Sequence, residues 1–335
     1  MANATARPIA SRISGTGHYV PERELTNAEL ATRVDTTDEW IVARTGIRSR
    51  RIAAPGESTS DMAAAAARRA LAAAELEATD LDLIIVATFT PDAPLPSTSV
   101  YVQQKIGARR DCPAFDLVAA CAGFCYALSV ADLHIRAGVA KHVLVIGVEH
   151  MSSVVDWQDR STCVLFGDGA GAVVVSPSLD GKQGLIGSHL FADGSQTDIL
   201  NIPAGGTVEP TSVATLEARR HYLQMKGSEV FRVAVKSLVA ACKTALDSAG
   251  LEAKDVDWVV PHQANQRILE AVCGRLGVPM ERVYLNLERC GNTSSASIPI
   301  ALDEAMRAGV IHRGQVVLFC AFGAGLAWAS ALVCF

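Results

Sequence analysis

The sequence predicts an α/β fold built from two similar halves, and three observations support that prediction. Short continuous apolar runs, such as 83–89 and 143–148, have the length and β-branched composition of strands buried on both faces. Segments with helical periodicity separate these runs along the chain. The segment at 71–84 resembles the segment at 246–259, so the chain contains an internal repeat.

Each half shows the same order of elements. A helix leads to a buried strand, at 81–88 in the first half and at 256–262 in the second. A second helix and a short strand follow, the strand being at 112–118 and at 282–287. Each half then continues with a helix start rich in small residues, a long helix and a further strand. This order predicts mixed α/β layers in both halves.

The repeat divides the chain into a first half at 1–178 and a second half at 179–335. We expect the halves to pack face to face through their central helices, about a pseudo-twofold axis. The motif at 135–139 recurs 171 residues later, and the same offset makes Asn292 the equivalent of Cys121. A twofold axis near the two helix starts would bring these residues together, although a chance coincidence is the alternative.

Composition and charge exclude several classes of protein. The chain of 335 residues has a net charge of −5 and a sequence pI of about 5.9, without the basic excess typical of nucleic-acid-binding proteins. Its nine cysteines are dispersed and form no CxxC pair, so we expect neither a metal site nor a disulfide framework. The first residues lack an apolar signal stretch, and no apolar run is long enough to span a bilayer. We expect a cytoplasmic protein that binds neither nucleic acid nor membrane.

Cys121 is the candidate nucleophile. The predicted strand at 112–118 ends just before it, and helical periodicity begins just after it. A helix N-terminus stabilises an anion, so this position is expected to lower the thiol pKa and to favour the reactive thiolate. Cys125 would lie one turn deeper on the same helix face, as packing. The alternative for any single cysteine is a small buried hydrophobic residue.

His262 and Asn292 are candidate hydrogen-bond donors. His262 follows a predicted strand and precedes a helix, where a neutral ring is expected. Asn292 lies near the start of another helix and could be only an N-cap. Two neutral donors that converge on one oxygen would stabilise an enolate. The glycines at 322–326 could supply a peptide N–H to a thioester oxyanion, with a plain tight turn as the alternative.

Six segments together resemble β-ketoacyl-acyl carrier protein synthase III of the thiolase superfamily, in a compatible order from about residue 9 to the C-terminus. They lie at 34–54 (VDTTDEWIVARTGIRSRRIAA), 113–132 (PAFDLVAACAGFCYALSVAD), 165–175 (LFGDGAGAVVV), 261–268 (PHQANQRI), 291–305 (GNTSSASIPIALDEA) and 321–333 (AFGAGLAWASALV). The resemblance implies a five-layered αβαβα thiolase-like fold and a homodimer. It also implies a decarboxylative condensation of an acyl-CoA with malonyl-acyl carrier protein, with CoA thioesters as substrates and no cofactor.

The resemblance also implies roles for individual residues. The catalytic triad of the family falls on Cys121, His262 and Asn292, and the second oxyanion amide falls on the backbone of Ala324. Residues of the CoA groove and the pantetheine tunnel fall on Thr36, Trp40, Arg44, Arg160, Phe231, Ala264 and Asn265. At two further positions of that groove, some members of the family have residues other than the Ser161 and Ser228 of this chain.

The surface that docks the acidic carrier protein falls on Arg232, Arg267 and Arg275, for which a solvated helix face is the alternative. In the family, a residue from the partner subunit closes the acyl pocket, and Leu95 stands at that position. Leucine is smaller there than the phenylalanine of some short-chain enzymes. A primer longer than acetyl is therefore expected, unless other wall residues refill the space.

Several related activities are alternatives. A chalcone-synthase-like enzyme has the same triad but usually a longer chain. A degradative thiolase needs a second catalytic cysteine near the C-terminal glycines, and Cys320 fits that spacing poorly. A family member redirected to polyketide or other secondary-metabolite acyl transfer would keep the same residues. A non-catalytic subunit would typically lose the cysteine that this chain has.

Overall fold

The computed structural model describes residues 10–335. The strands are Ser11–Tyr19 (β1), Arg23–Thr26 (β2), Ser49–Ile52 (β3), Leu83–Ala87 (β4), Ala114–Leu117 (β5), Val143–Glu149 (β6), Gly169–Pro177 (β7), Gly184–Ala192 (β8), Leu200–Asn201 (β9), Gln224–Met225 (β10), Trp258–Pro261 (β11), Val316–Gly323 (β12) and Ala327–Cys334 (β13). The helices are Asn27–Leu30 (α1), Asp38–Thr45 (α2), Thr59–Ala74 (α3), Thr98–Ile106 (α4), Gly123–Arg136 (α5), Arg160–Cys163 (α6), Val213–Glu217 (α7), Gly227–Ala249 (α8), Gln266–Leu276 (α9), Leu287–Cys290 (α10) and Ser297–Arg307 (α11).

Two sheets organise the chain. The first has the order β1-β7-β6-β4-β5, in which β4 pairs in parallel with both β6 and β5. The second has the order β11-β12-β13-β8, with a parallel β11–β12 pair and antiparallel neighbours beyond it. The first sheet thus uses strands up to Pro177, and the second begins with Gly184.

The sheets and helices stack in five layers. The central layer is formed by α5 and α11, whose apolar faces share one core with both sheets. The outer face of the first sheet packs against the alanine-rich α3, and that of the second against α8 and α9. This is the αβαβα architecture that the resemblance implied. Close packing depends on small residues, since a Cβ at Gly17 would lie 2.4 Å from the backbone nitrogen of Ala70 in α3.

The predicted strand at 282–287 is wrong as a regular strand. A 3₁₀ turn occupies Met280–Arg282 and α10 begins at Leu287, so little extended chain remains between them. Val283 forms only an isolated parallel bridge with Val259 in β11. In the first half, β5 pairs in parallel with β4. Val283 takes the corresponding place beside β11 in the second half.

The structure also corrects the equivalence of Cys121 and Asn292. Each half places a 3₁₀ turn directly before its central helix, at Ala120–Ala122 before α5 and at Ser294–Ala296 before α11. Both turns begin with a residue in the left-handed region, Ala120 at φ 44° and Ser294 at φ 50°. Aligning the turns makes Ser295, not Asn292, the counterpart of Cys121. The short repeat at 135–139 gave the wrong offset for Cys121, because the offset between equivalent residues of the two halves changes from one element to the next.

Candidate active site

Cys121 lies in the 3₁₀ turn between β5 and α5, so the expected position near a helix start is correct. Its residue is only 9% exposed. The expected lowering of its pKa is wrong, because burial raises the pKa of this thiol to about 12. The negative charge of Glu149 adds to that rise in pKa, while the polar side chain of Ser294 opposes it. A helix start is visible in the sequence, but the degree of burial is not.

His262 follows β11 directly and is buried. Burial lowers the pKa of its imidazole to about 3, so the expectation of a neutral ring is confirmed. The physical cause is burial, since α9 begins only at Gln266, after an N-cap by Asn265. The Nδ1 atom lies 2.7 Å from the Ser297 hydroxyl.

Asn292 is held by backbone pairing rather than as the N-cap of α11. Its backbone N–H donates to the Leu165 carbonyl at 2.8 Å, and its carbonyl accepts from the Gly167 N–H at 3.1 Å. Its side-chain Oδ1 accepts the Ser294 N–H at 2.8 Å. This bond assigns the orientation of the amide, because it leaves the Nδ2 group as the donor for a ligand.

Ser294 and Glu149 are residues of this site that the sequence analysis missed. Ser294 donates its N–H to Oδ1 of Asn292, and its 3₁₀ turn packs against the turn that holds Cys121. Glu149 ends β6, a strand that is buried throughout, and its carboxyl group lies near Ser294. A carboxylate at the end of a fully apolar run, VLVIGVE, was the signal that could have identified it.

One cavity of about 550 Å³ connects these side chains with the surface. Its lining contains Cys121, His262, Asn292 and Ser294. The lining also contains the predicted site residues Trp40, Arg44, Phe231, Ala264, Asn265, Arg267 and Ala324. The predicted residues Thr36, Leu95, Arg160, Arg232 and Arg275 do not line it. The cavity therefore gathers most of the predicted site residues.

Trp40 organises one part of the cavity wall. The guanidinium groups of Arg44 and Arg160 lie 5.1 and 4.9 Å from the centroid of its ring, within the range of cation–π attraction. Arg160 thus belongs to this cluster although it does not line the cavity itself. Within residues 10–335, the buried Oγ1 of Thr36 has no hydrogen-bond partner. Asn265 joins the cluster through a bond of 3.0 Å from its Nδ2 to the Arg44 carbonyl.

The turn between β12 and β13 closes over Cys121. Ala324 of this turn lines the cavity. Gly323 approaches so closely that a Cβ there would lie 2.6 Å from the backbone nitrogen of Cys121. The glycine is required by this close approach of two backbones, and the turn brings the Ala324 and Cys121 peptide units to the same end of the cavity.

The remaining predicted positions lie on the surface. Arg232 on α8 and Arg267 and Arg275 on α9 are exposed, and none forms an ion pair within the described chain. Leu95 is 85% exposed, beyond the reach of its own chain's cavity. Cys320, considered as a second thiolase cysteine, is buried beside Cys242 and away from the cavity. Among residues 10–335, no helix could cross a membrane and no cluster of side chains could hold a metal ion.

Comparison with known proteins places the chain in one family. Residues 115–194 match the family model described as 3-oxoacyl-[acyl-carrier-protein (ACP)] synthase III, and residues 246–335 match the model of its C-terminal part. A β-ketoacyl-[acyl-carrier-protein] synthase III from Neisseria gonorrhoeae is 52% identical over 96% of this chain and 98% of its own length. The corresponding protein of Caldanaerobacter subterraneus is 50% identical over 97% and 98%.

Solved structures agree with these sequence matches. The crystal structure of 3-oxoacyl-[acyl-carrier-protein] synthase III from Aquifex aeolicus has a TM-score of 0.90 and is 47% identical, covering 97% of this chain and 100% of that one. The similarity thus extends over both sheets and the central helices. It includes every element that carries a candidate site residue.

Proposed function

Because this chain belongs to the β-ketoacyl-acyl carrier protein synthase III family, we propose that it condenses an acyl-CoA primer with malonyl-acyl carrier protein. The products are a 3-ketoacyl-acyl carrier protein, CoA and CO2, and the reaction begins fatty acid biosynthesis. The observation that carries the proposal is that Cys121, His262, Asn292 and Ala324 line the same cavity. One thiol beside neutral hydrogen-bond donors suits acyl transfer followed by formation of an enolate.

In the first half-reaction, the Cys121 sulfur attacks the thioester carbonyl of the primer and CoA leaves. The backbone N–H groups of Cys121 and Ala324 are the proposed donors to the oxyanion that forms. The close approach of Gly323 to Cys121 supports this role, because it fixes the two peptide units relative to each other. The buried position of the thiol keeps the acyl-enzyme away from bulk water.

In the second half-reaction, His262 and Asn292 are the proposed donors to the malonyl thioester oxygen. Loss of CO2 leaves an enolate, and two neutral donors stabilise its negative charge. A cation in their place would also bind the malonyl carboxylate, which must leave as CO2. The low pKa of His262 and the fixed amide of Asn292 support this assignment. The enolate carbon then attacks the acyl group on Cys121.

The cavity mouth and the surface around it provide the proposed recognition groups. The cluster of Trp40, Arg44 and Arg160 offers a ring and two cations for the adenine and phosphates of CoA. Thr36, Ala264 and Asn265 are assigned to the same groove, and Phe231 to the pantetheine tunnel. Exposed Arg232, Arg267 and Arg275 are the proposed docking residues for the acidic carrier protein, since no acidic side chain of the described chain pairs with them.

We propose a homodimer that is formed through β5. This strand is an open edge of the first sheet, and Phe115 in the strand and Val118 directly after it are 37% and 73% exposed. Asp116 of β5 accepts the Thr98 N–H at the start of α4, which holds the nearby Leu95 loop against the same edge. A second copy that covers this surface would bring Leu95 towards the partner's acyl pocket.

The nine free cysteines of the chain suit the reducing cytoplasm, which is the proposed location.

Release of CO2 from malonyl-acyl carrier protein, with and without acyl-CoA, tests the proposal. We expect condensation to depend on acyl-CoA and the acyl adduct to map to Cys121 by intact-mass and peptide analysis. Replacing His262 or Asn292 by Ala should slow decarboxylation by about 10²–10³-fold, the effect of one lost oxyanion donor. An adduct on Cys125 or Cys163, or full decarboxylation without His262, would contradict it. Acyl transfer to a small alcohol or amine would indicate the redirected alternative.

A further inference from the structure

Arg50 is a fully buried arginine for which the two half-reactions assign no role. It lies in β3, it is 0% exposed, and no Asp or Glu of residues 10–335 forms an ion pair with it. Burial lowers the pKa of its guanidinium group to about 10, so the group still carries its charge at neutral pH. A buried cation without an anionic partner costs free energy, and its hydrogen bonds have to compensate for that cost.

The guanidinium group of Arg50 bonds two separate parts of the chain. Its Nη1 atom donates to Oδ1 of Asn27 at 2.8 Å and to the Leu25 carbonyl at 3.2 Å. Its Nη2 atom donates to the Val164 carbonyl at 2.8 Å. Because the guanidinium group is planar and rigid, it holds these partners at a fixed separation. Arg50 therefore fixes the Val164 carbonyl relative to β2 and α1.

Asn27 is a rigid support for the Arg50 side chain. It is 1% exposed, and its Nδ2 group donates to the Ile47 carbonyl at 2.7 Å and to Oδ1 of Asp38 at 2.8 Å. These two bonds use both protons of the amide and assign its orientation, which leaves Oδ1 as the acceptor for Arg50. The support thus includes Asp38, the first residue of α2.

The carbonyl that Arg50 holds lies directly before the segment that pairs with Asn292. Val164 is followed by Leu165, whose carbonyl accepts the Asn292 N–H at 2.8 Å. Gly167 donates its own N–H to the Asn292 carbonyl at 3.1 Å. The two bonds form one isolated parallel bridge, so the position of the Asn292 backbone depends on this segment.

The base of the Arg50 side chain packs against both partners of that bridge. A Cβ at Gly167 would lie 3.0 Å from the Cβ of Arg50, and a Cβ at Gly291 would lie 3.1 Å from the same atom. Gly291 directly precedes Asn292 in the chain. One side chain therefore contacts the two chain segments of the bridge at their glycines and bonds the carbonyl at which the first segment begins.

We propose that Arg50 is a positioning residue for the Asn292 amide in the decarboxylation step. The inference rests on the proposed function, in which Asn292 donates to the malonyl thioester oxygen. Arg50 does not line the cavity, so it acts through the bridge rather than on the substrate. A shift of the bridge would move the Nδ2 donor, and a misplacement of about 1 Å can cost about 10²-fold in rate.

The two half-reactions respond differently to Arg50→Met if the proposal is correct. Decarboxylation of malonyl-acyl carrier protein should slow by about 10–100-fold, because the Val164 carbonyl loses its donor. Acylation of Cys121 should stay within about threefold of the parent, since Gly323 and its turn pack directly on Cys121. Equal losses in both half-reactions would overturn the proposal, because Arg50 would then serve only the fold.

Arg51→Met is the matched control. Arg51 is the next residue of β3, and its guanidinium group also donates to a backbone carbonyl, that of Glu22 at 3.1 Å. Its side chain makes no bond to the segment that pairs with Asn292. Both half-reactions of Arg51→Met should therefore stay within about twofold of the parent. A loss of decarboxylation equal to that of Arg50→Met would overturn the proposal.

A double-mutant cycle tests whether Arg50 acts through Asn292. In the Asn292→Ala background, Arg50→Met should slow decarboxylation by less than about twofold further. Arg50→Lys keeps the charge, but its ammonium group cannot span Asn27 and Val164 as the planar fork does, so it should slow decarboxylation by about tenfold. Additive losses in the cycle, or full decarboxylation by Arg50→Lys, would overturn the proposal. If thermal melts show that Arg50→Met fails to fold, Arg50→Lys decides.

The side-chain amide of Asn292 gives a second readout that needs no substrate. Its signals in proton–nitrogen NMR spectra are those that disappear in Asn292→Ala. They should shift or broaden in Arg50→Met and Arg50→Lys and stay in place in Arg51→Met. Unchanged signals in both Arg50 variants would contradict a positioning role. If the parent does not decarboxylate malonyl-acyl carrier protein, the proposed function fails, and these signals still decide whether Arg50 positions Asn292.

Discussion

The Ser297 hydroxyl lies between His262 and the Ser294 carbonyl, 2.7 Å from Nδ1 of the ring and 2.8 Å from the carbonyl oxygen. A hydroxyl has one proton and can donate it to only one of these acceptors. If it donates to Nδ1, the neutral ring carries its proton on Nε2 and can donate to an enolate. If it donates to the carbonyl, Nδ1 carries the proton and Nε2 cannot donate. Ser297 therefore controls which tautomer His262 adopts.

Ser297→Ala is expected to leave His262 in the wrong tautomer for decarboxylation. Without the hydroxyl, Ser297 no longer donates to Nδ1, so the neutral ring can carry its proton on that atom and leave Nε2 without one. Decarboxylation should fall by about 10–10²-fold, while acylation of Cys121 changes little. Nitrogen NMR of labelled histidine reports the tautomer directly. A variant with slow decarboxylation but an unchanged His262 spectrum would show that Ser297 acts only on packing.

Gly323→Ala should damage acylation more than stability. The new Cβ would lie 2.6 Å from the Cys121 nitrogen, so the turn that carries Ala324 must move. A displacement of this kind costs about 10²-fold in the acylation rate, and overpacking costs about 1–3 kcal/mol of stability. Acylation kinetics and melting temperature measure the two effects. Gly274→Ala is the control, because a Cβ there meets nothing within 4 Å. Equal acylation by both variants would contradict the proposed oxyanion turn.

Charge reversal of Arg232, Arg267 and Arg275 should weaken use of the carrier protein. These exposed guanidinium groups have no acidic partner in the described chain, so they remain available for an acidic protein. The KM for malonyl-acyl carrier protein should rise about tenfold or more at low salt, and less at high salt. The KM for acyl-CoA is the internal control. If both KM values rise equally, the arginines serve CoA or the fold instead.

Leu95→Phe should shift the choice of primer towards shorter chains. Leu95 is 85% exposed on its own chain, so its effect on a pocket depends on the proposed partner contact. Each buried methylene contributes about 0.8 kcal/mol, roughly a fourfold change in affinity. We expect the parent to prefer a primer longer than acetyl. The kcat/KM values for acetyl-, butyryl-, hexanoyl- and octanoyl-CoA measure this preference, and a parent that prefers acetyl, with no change in the variant, would exclude a gating role for Leu95.

The sequence predicted the layers and the gathering of three side chains better than it predicted their chemistry. Cys121 and His262 were identified because each lies between a predicted strand and a helix, and Asn292 because it lies near a helix start and in the internal repeat. The structure places all three in the lining of one cavity. The pKa of Cys121 was predicted in the wrong direction, because its burial depends on the turn above it from the other half. Ser294 was missed because a left-handed serine has no sequence signature.

The raised pKa and deep position of Cys121 bear on how inhibitors could reach it. A neutral thiol reacts slowly with general electrophiles, and the cavity of about 550 Å³ limits access to molecules that fit it. Covalent inhibition should therefore depend on reversible binding against the cavity wall before the bond forms. Selectivity would come from the shape and polarity of a compound, so a weak warhead on a well-fitting scaffold is the better starting point for design.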